Sequence, residues 1–298
     1  MWMPRLACVA CGTALPLDSA PLRCEQCGTL VLERDGILRC ASEARLDRAR
    51  PFLAQYRTVR RADGHVVRSA EDYQALPSVS PTAANVDEWR IRQQSLDTLL
   101  RALSTARRSA RVLDLGAGNG WLSQRLTARG HAVVAVDLND DGEDGLGAAA
   151  ASRVAFCRVQ AGFERVPFES GQFDVVVFNA SLHYADEPGA VLTESRRLLA
   201  NGGTLVVMDS PIFVQAHDGE RMVEEHLAGL RTRFGLSSPI SCGRGYLTLA
   251  ELGQAAGTFG MAATFTRSSG PWLWRLRRAW SGLRLGRQPA MFGVWVAR

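Results

Sequence analysis

Residues 112–139, VLDLGAGNGWLSQRLTARGHAVVAVDLN, join an apolar run, three glycines on alternate positions, and a second apolar run that ends in an acid. No other stretch of the chain limits its fold so tightly. A buried strand that breaks into Gly116-Ala117-Gly118 and opens a helix at Trp121 needs glycine for the tight turn. Backbone N–H groups then gather at a helix N-terminus, where a ligand can come close. Asp137 ends the second strand, spaced to accept hydrogen bonds from the two hydroxyls of a ribose. A dinucleotide fingerprint would carry a third glycine where this chain has Trp121, a residue that does not allow close helix–strand packing. Asp114, two residues before the first glycine, suits a cationic amine and repels a pyrophosphate. The expected ligand is a ribose-bearing zwitterion.

The remainder of the central chain alternates in the same manner. The pattern predicts strands at Arg111 to Leu115, Ala132 to Asp137, Val154 to Val159, Phe173 to Asn179 and Thr204 to Asp209, with helices at Trp121 to Arg129 and Pro188 to Leu199. Asn201-Gly202-Gly203 closes the second helix. These strands are Val-rich and apolar on both faces, as in a sheet covered by helices on both sides. The fold class is α/β and doubly wound. An amphipathic helix with Trp89, Leu96, Leu99, Leu100 and Leu103 leads into it from Val86.

Four of the seven cysteines, Cys8, Cys11, Cys24 and Cys27, form two C-x-x-C pairs within the first 27 residues. Each pair turns tightly enough to offer two thiolates, and two such knuckles close a tetrahedron around zinc. A disulfide framework is the alternative, but the odd cysteine total and a start without an apolar signal core argue against it. Four protein ligands leave no open position, so the Zn2+ is expected to be structural. Residues 1–40 are read as a zinc ribbon, 41–85 as a linker or partly helical cap over the site, and 86–298 as the main domain, with an acceptor-site insertion at about 210–248.

With VPFESGQFDVVV and RLLANGGTLVV following VLDLGAGNGWLS and AVDL in order and spacing, residues 88–210 resemble the class I S-adenosylmethionine-dependent methyltransferases, close to their small-molecule and quinone-biosynthesis branch. The resemblance implies a seven-stranded Rossmann-like sheet with an antiparallel last strand, for which AMFGVWVAR is suited. It implies that Gly116, Ala117 and Gly118 pass the methionine part, with Asp114 holding its amine through water. Asp137 would take the ribose, Leu138 one face of the adenine, and Asn179 would line the methyl-donor pocket. Where the family often has an acid before the Pro-Phe pair, this chain has Gly162, so the adenine is assigned to the Gly162-Phe163 backbone and ring, with Glu164 as substitute. CEQCGTLVLERDGIL, in turn, resembles the small zinc-binding domain that partners or fuses to methyltransferases.

For the acceptor, His183 just after the fourth strand is a candidate base or pocket wall, with Tyr184 beside it. Asp209, His217, Tyr56 and Arg60 are further candidates. All 35 basic residues are arginine, and with no acid after Glu251 the tail carries +7 of a net +5, leaving −2 for the preceding 251 residues. In the tail, PWLWRLRRAWSGLRLGR (271–287) reads as a helix with a Leu273, Leu276, Trp280 and Leu283 stripe that packs on the sheet, meets a membrane surface or stacks on RNA. The leading expectation is a methyltransferase acting on a small-molecule or lipid-like acceptor, cytoplasmic and in contact with a membrane only peripherally, without a transmembrane segment. Ribosomal or transfer RNA methylation is the rival, weakened by a ribbon whose four arginines and four acids balance. A non-catalytic cofactor-binding scaffold is the third reading.

Overall fold

The computed structural model describes residues 2–16, 21–67, 69–104, 109–240 and 242–298, and within 272–285 the side chains of 272, 274, 276, 280, 282, 284 and 285. The N-terminal segment is built from short strands: β1 (Leu6–Ala7), β2 (Ala14–Leu15), β3 (Leu22–Arg23), β4 (Leu30–Arg34) and β5 (Ile37–Arg39). A 20-residue helix α1 (Glu43–Ala62), N-capped by Ser42, follows, then α2 (Ala70–Ala75) and α3 (Val86–Ser104). Next come β6 (Arg111–Leu115), α4 (Trp121–Thr127), β7 (Ala132–Asp137), β8 (Cys157–Gln160), β9 (Phe173–Asn179), α5 (Pro188–Leu198) and β10 (Leu199–Met208). The chain ends with β11 (Ile212–Phe213), α6 (Ala216–Phe234), β12 (Leu247–Thr248), α7 (Leu249–Thr258), β13 (Ala263–Arg267), α8 (Trp272–Leu285) and β14 (Gly293–Ala297).

Seven strands form the expected doubly wound sheet in the order β13-β14-β10-β9-β6-β7-β8, with β14 antiparallel to both its neighbours. The sheet does not end there. β5 pairs in parallel with β8 through Leu38 and Val159, and β4 and β3 continue it, giving ten strands. The ribbon therefore extends the main sheet. Leu6, Leu15 and Val31 lie in the same hydrophobic cluster as Leu113, Val134 and Val176. The start of the chain is tied to the segment before β9 as well: Ala7 N–H donates to the Pro167 carbonyl at 2.9 Å, and Arg5 N–H to Gln172 Oε1 at 2.7 Å.

Alternation along each central strand divides its side chains between two layers. Leu113, Leu115, Val176 and Phe178 pack under α5 and α7; Val112, Val175 and Val177 pack under α3 and α4. Helix α4 stops at Thr127, two residues before the expected end, and two strand starts differ from the sequence pattern. β8 starts at Cys157, and β10 leaves α5 directly at Leu199, absorbing the Asn201-Gly202-Gly203 turn as a register shift between Leu199 and Thr204. Strand order reverses between β6 and β9, so the crevice at their carboxyl ends is where such sheets bind ligands.

The insertion forms α6 and the small parallel β11/β12 pair. In α8, Trp274 packs at 6.4 Å on Phe292, whereas Trp272, Leu276 and Trp280 are 67%, 58% and 75% exposed at four-residue spacing. Of the stripe expected there, Leu276 and Trp280 thus face outward. The side chains of Leu273 and Leu283, and those of Arg275, Arg277 and Arg278, lie outside the described residues.

Candidate active site

The glycine loop lies over the crevice in the conformation that its sequence requires. Gly116 has φ +73°, and a Cβ there would sit 2.3 Å from Ser181 Cβ and 3.1 Å from Phe163. Only a glycine fits. Gly118, at φ +54°, donates its N–H to Asp137 Oδ2 at 2.8 Å, while Oδ1 accepts from Asn139 N–H at 2.7 Å. Asp137 thereby ties the loop after β6 to the loop after β7, and each oxygen retains a second lone pair for a ligand hydroxyl. Burial raises its pKa to about 6 in spite of these N–H donors.

Asp114 is fully buried; Ser123 Oγ donates to its Oδ2 at 2.7 Å, and Oδ1 has no hydrogen-bond partner among the described residues. Burial pushes its pKa up to about 7. A buried carboxylate oxygen left unpaired is costly, and a cationic donor is the chemistry that would satisfy it. Asn179 Oδ1, at the end of β9, is likewise unpaired among the described residues. These two oxygens, together with the Gly116 cradle, fit the amino-acid end of S-adenosylmethionine. Leu138, Gly162 and Phe163 are half-buried beside them, and Phe163 meets Phe178 edge-on at 6.0 Å. Glu164 is exposed and ion-paired with Arg45 of α1 at 2.9 Å.

Helix α1 lies along the loop that follows β7. Arg60 grips Asp144 through two contacts of 2.7 and 2.9 Å, Arg61 reaches Glu143 at 2.6 Å, and Arg57 reaches Asp141 at 3.4 Å. The signal that could have found this contact is the basic RTVRR run set against the acidic NDDGED. On its inner side α1 presents Phe52 and Tyr56, whose rings lie 5.8 Å from Tyr184 and 5.6 Å from each other. His183 stacks 4.2 Å from Tyr184 and pairs its Nδ1 with Ser210 Oγ at 3.1 Å. Burial drops its pKa to about 3, so the ring is neutral. Asp209 is buried at the end of β10, bonded to Ser95, with Oδ2 unpaired among the described residues and its pKa raised by burial to about 6. His217 is not brought to this cluster; it lies exposed at the start of α6 beside Asp218.

At the other end of the chain, the four cysteine sulfurs lie within 4.8 Å of one another, with Cys8–Cys27 at 3.5 Å and Cys11–Cys24 at 3.4 Å. A tetrahedron of thiolates ~2.3 Å from zinc has edges of about 3.8 Å, so the set is close to ligating geometry. The knuckles match: Gly12 N–H donates to the Cys8 carbonyl and Gly28 N–H to the Cys24 carbonyl, both at 2.8 Å.

Residues 113–207 match the family model described as "Methyltransferase domain". Malonyl-(acyl-carrier protein) O-methyltransferase of Enterobacter lignolyticus (strain SCF1) is 32% identical over 166 residues, covering 54% of this chain and 64% of that protein. The ubiquinone/menaquinone biosynthesis C-methyltransferase of Azotobacter vinelandii is 35% identical over 115 residues, covering 36% and 45%. The chain thus spans less than two thirds of the length of these relatives. Among solved structures, magnesium protoporphyrin IX methyltransferase of Synechocystis PCC 6803 with bound SAH superposes with a TM-score of 0.50 at 16% identity, over 77% of this chain and 94% of that one. Within the central α/β unit, strand order and glycine loop are thus those of a doubly wound sheet, and residues 113–207 of it match the methyltransferase domain model. Among the described residues no helix is long and apolar enough to cross a membrane.

Proposed function

We propose that this chain is an S-adenosylmethionine-dependent methyltransferase acting on a small-molecule or lipid-like acceptor. The observation that carries the reading is the crevice itself: an unpaired buried Asp114 oxygen beside Gly116, with Asp137 bonded to Gly118 N–H opposite. When bound, S-adenosylmethionine supplies an electrophilic methyl group on a sulfonium centre. Asp114 holds the amine, Gly116, Ala117 and Gly118 let the methionine part pass, and Asp137 holds the ribose hydroxyls. Leu138, Gly162 and Phe163 flank the adenine, and Asn179 lines the pocket wall. The remaining work is alignment of the acceptor, which alone is worth several kcal/mol in such displacements. Tyr184 offers its ring, and neutral His183 a hydrogen-bonding nitrogen that orients the acceptor. At a pKa of about 3 it is too weak a base to keep a proton.

Support for a small acceptor comes from the sequence relatives, named for malonyl-(acyl-carrier protein) and for quinone biosynthesis. Zn2+ held by Cys8, Cys11, Cys24 and Cys27 would be structural, pinning the outer strands of the sheet. The exposed Trp272, Leu276 and Trp280 face, on a tail without acids, would rest on an anionic membrane surface peripherally. The test incubates purified protein with methyl-labelled S-adenosylmethionine and fractionated host extract. Label in the organic or small-molecule pool is expected. Label confined to RNA, or to no pool, would overturn the proposal.

A further inference from the structure

Helix α3 carries an arginine that the site has not yet used. Arg92 is half-buried, and its guanidinium sits 4.7 Å over the Trp89 ring. Trp89 is itself only 3% exposed and braced edge-on at 5.7 Å by Trp121, the first residue of the helix after the glycine loop. Electrostatically Arg92 faces Arg60, Tyr56, Glu88 and Asp209, and Tyr184 faces Arg92 in turn. It therefore belongs to the acceptor side of the crevice.

What sets it apart is that none of the neighbouring carboxylates among the described residues pairs with it. Glu88, one helical turn away, pairs with His65 Nε2 at 3.2 Å, and Asn85 Nδ2 lies 3.2 Å from His65 Nδ1, completing the chain. Asp144 is occupied by both arms of Arg60, and Asp209 accepts from Ser95 on Oδ1 while its Oδ2 is unpaired among the described residues. Arg92 makes no hydrogen bond or ion pair among the described residues. Burial and the neighbouring Arg60 both disfavour its charge. A guanidinium in such a place, stacked on Trp89 and in ion pair with no carboxylate among the described residues, is completed by an anion from outside the chain. Beside it, the Phe52, Tyr56 and Tyr184 rings offer planar apolar contact.

Resting on the methyltransferase reading above, we propose that Arg92 is the anion-recognition residue of the acceptor site, and that the acceptor joins a carboxylate to a planar apolar body. The guanidinium's fork takes the carboxylate and the ring wall takes the body, leaving the methyl-accepting atom to be set by the rest of the molecule.

The test is calorimetric titration of protein saturated with S-adenosylhomocysteine, using 4-hydroxybenzoate and its neutral analogue 4-hydroxybenzamide as probes. Wild type should bind the benzoate at least about tenfold more tightly than the benzamide. Arg92→Gln should remove that preference while leaving S-adenosylhomocysteine affinity unchanged, and Arg92→Lys should restore part of it. Equal binding of the two probes, no binding of either, or a preference that survives in Arg92→Gln would overturn the proposal. So would a lower melting temperature in Arg92→Gln with the preference intact, which would make Arg92 a structural counter-charge to Asp209. Failure of S-adenosylhomocysteine itself to bind wild type would instead sink the underlying methyltransferase reading, and this inference with it.

Discussion

Replacing Asp114 by asparagine should make the ligand-free protein more stable and the loaded protein weaker. Burial lifts the Asp114 pKa from the ordinary 3.8 to about 7, so between those values the native state holds a proton that the unfolded chain has released. Stability therefore falls as pH rises through that window and levels off above 7. At pH 8 the ionised carboxylate costs the native state at most about 4 kcal/mol, from the size of the shift at ~1.4 kcal/mol per pH unit. Asp137 and Asp209 drift the same way up to about 6, and the Asp137 charge adds to the Asp114 shift, so the difference between variant and wild type reads Asp114 together with its coupling to Asp137. The asparagine side chain keeps an oxygen for Ser123 and carries no charge to bury. Thermal melts of ligand-free protein at pH 5 and pH 8 should show the variant gaining several degrees more at pH 8 than at pH 5. S-adenosylmethionine affinity, in contrast, should fall at least about tenfold, because the ligand's ammonium loses its counter-charge. A variant that melts below wild type at both pH values and binds the ligand unchanged would refute both the burial and the amine assignment.

Three further expectations follow from the contacts. Arg60→Ala leaves Asp144, only 2% exposed, without its counter-charge, and should cost about 3 kcal/mol in urea unfolding, with faster amide exchange over 43–62; unchanged exchange there would show that α1 is held by its rings alone. Elemental analysis of metal should return one zinc per chain, and chelation should strip exchange protection from β3, β4 and β5 while β6 to β10 keep theirs; retained protection would mean that packing suffices for the ribbon. The double variant Trp272→Ser/Trp280→Ser should lose co-sedimentation with anionic vesicles without a change in melting temperature, and equal pelleting would clear α8 of any membrane role.

The sheet's centre was legible because its signals are local. Val-rich runs, the alternate glycines and the acid at Asp137 each follow from what their own few residues must do, and the structure brings Asp114, Gly116, Asp137 and Asn179 to one crevice. The outer sheet was not legible, since the pairing of Leu38 with Val159 joins residues far apart in the chain, and a three-residue strand carries no sign of its partner. Nor did the turn glycines after α5 reveal that β10 would start at once and slip register. Arg92 was invisible for a different reason. In a chain whose 35 basic residues are all arginine, one more on an amphipathic helix stands out only when its neighbours' partners are known. The outward turn of Leu276 and Trp280 depends in the same way on where α8 sits between β13 and β14.

The central claim is that the crevice between β6 and β9 holds S-adenosylmethionine through Asp114, the glycine loop and Asp137. The direct measurement is calorimetric titration of the full chain with S-adenosylmethionine and with S-adenosylhomocysteine, repeated on Asp137→Ala after circular dichroism has established that the variant is folded. The account predicts one site per chain for both ligands in wild type and loss of both in the folded variant. Absence of binding in wild type, or undiminished binding in Asp137→Ala, would contradict it.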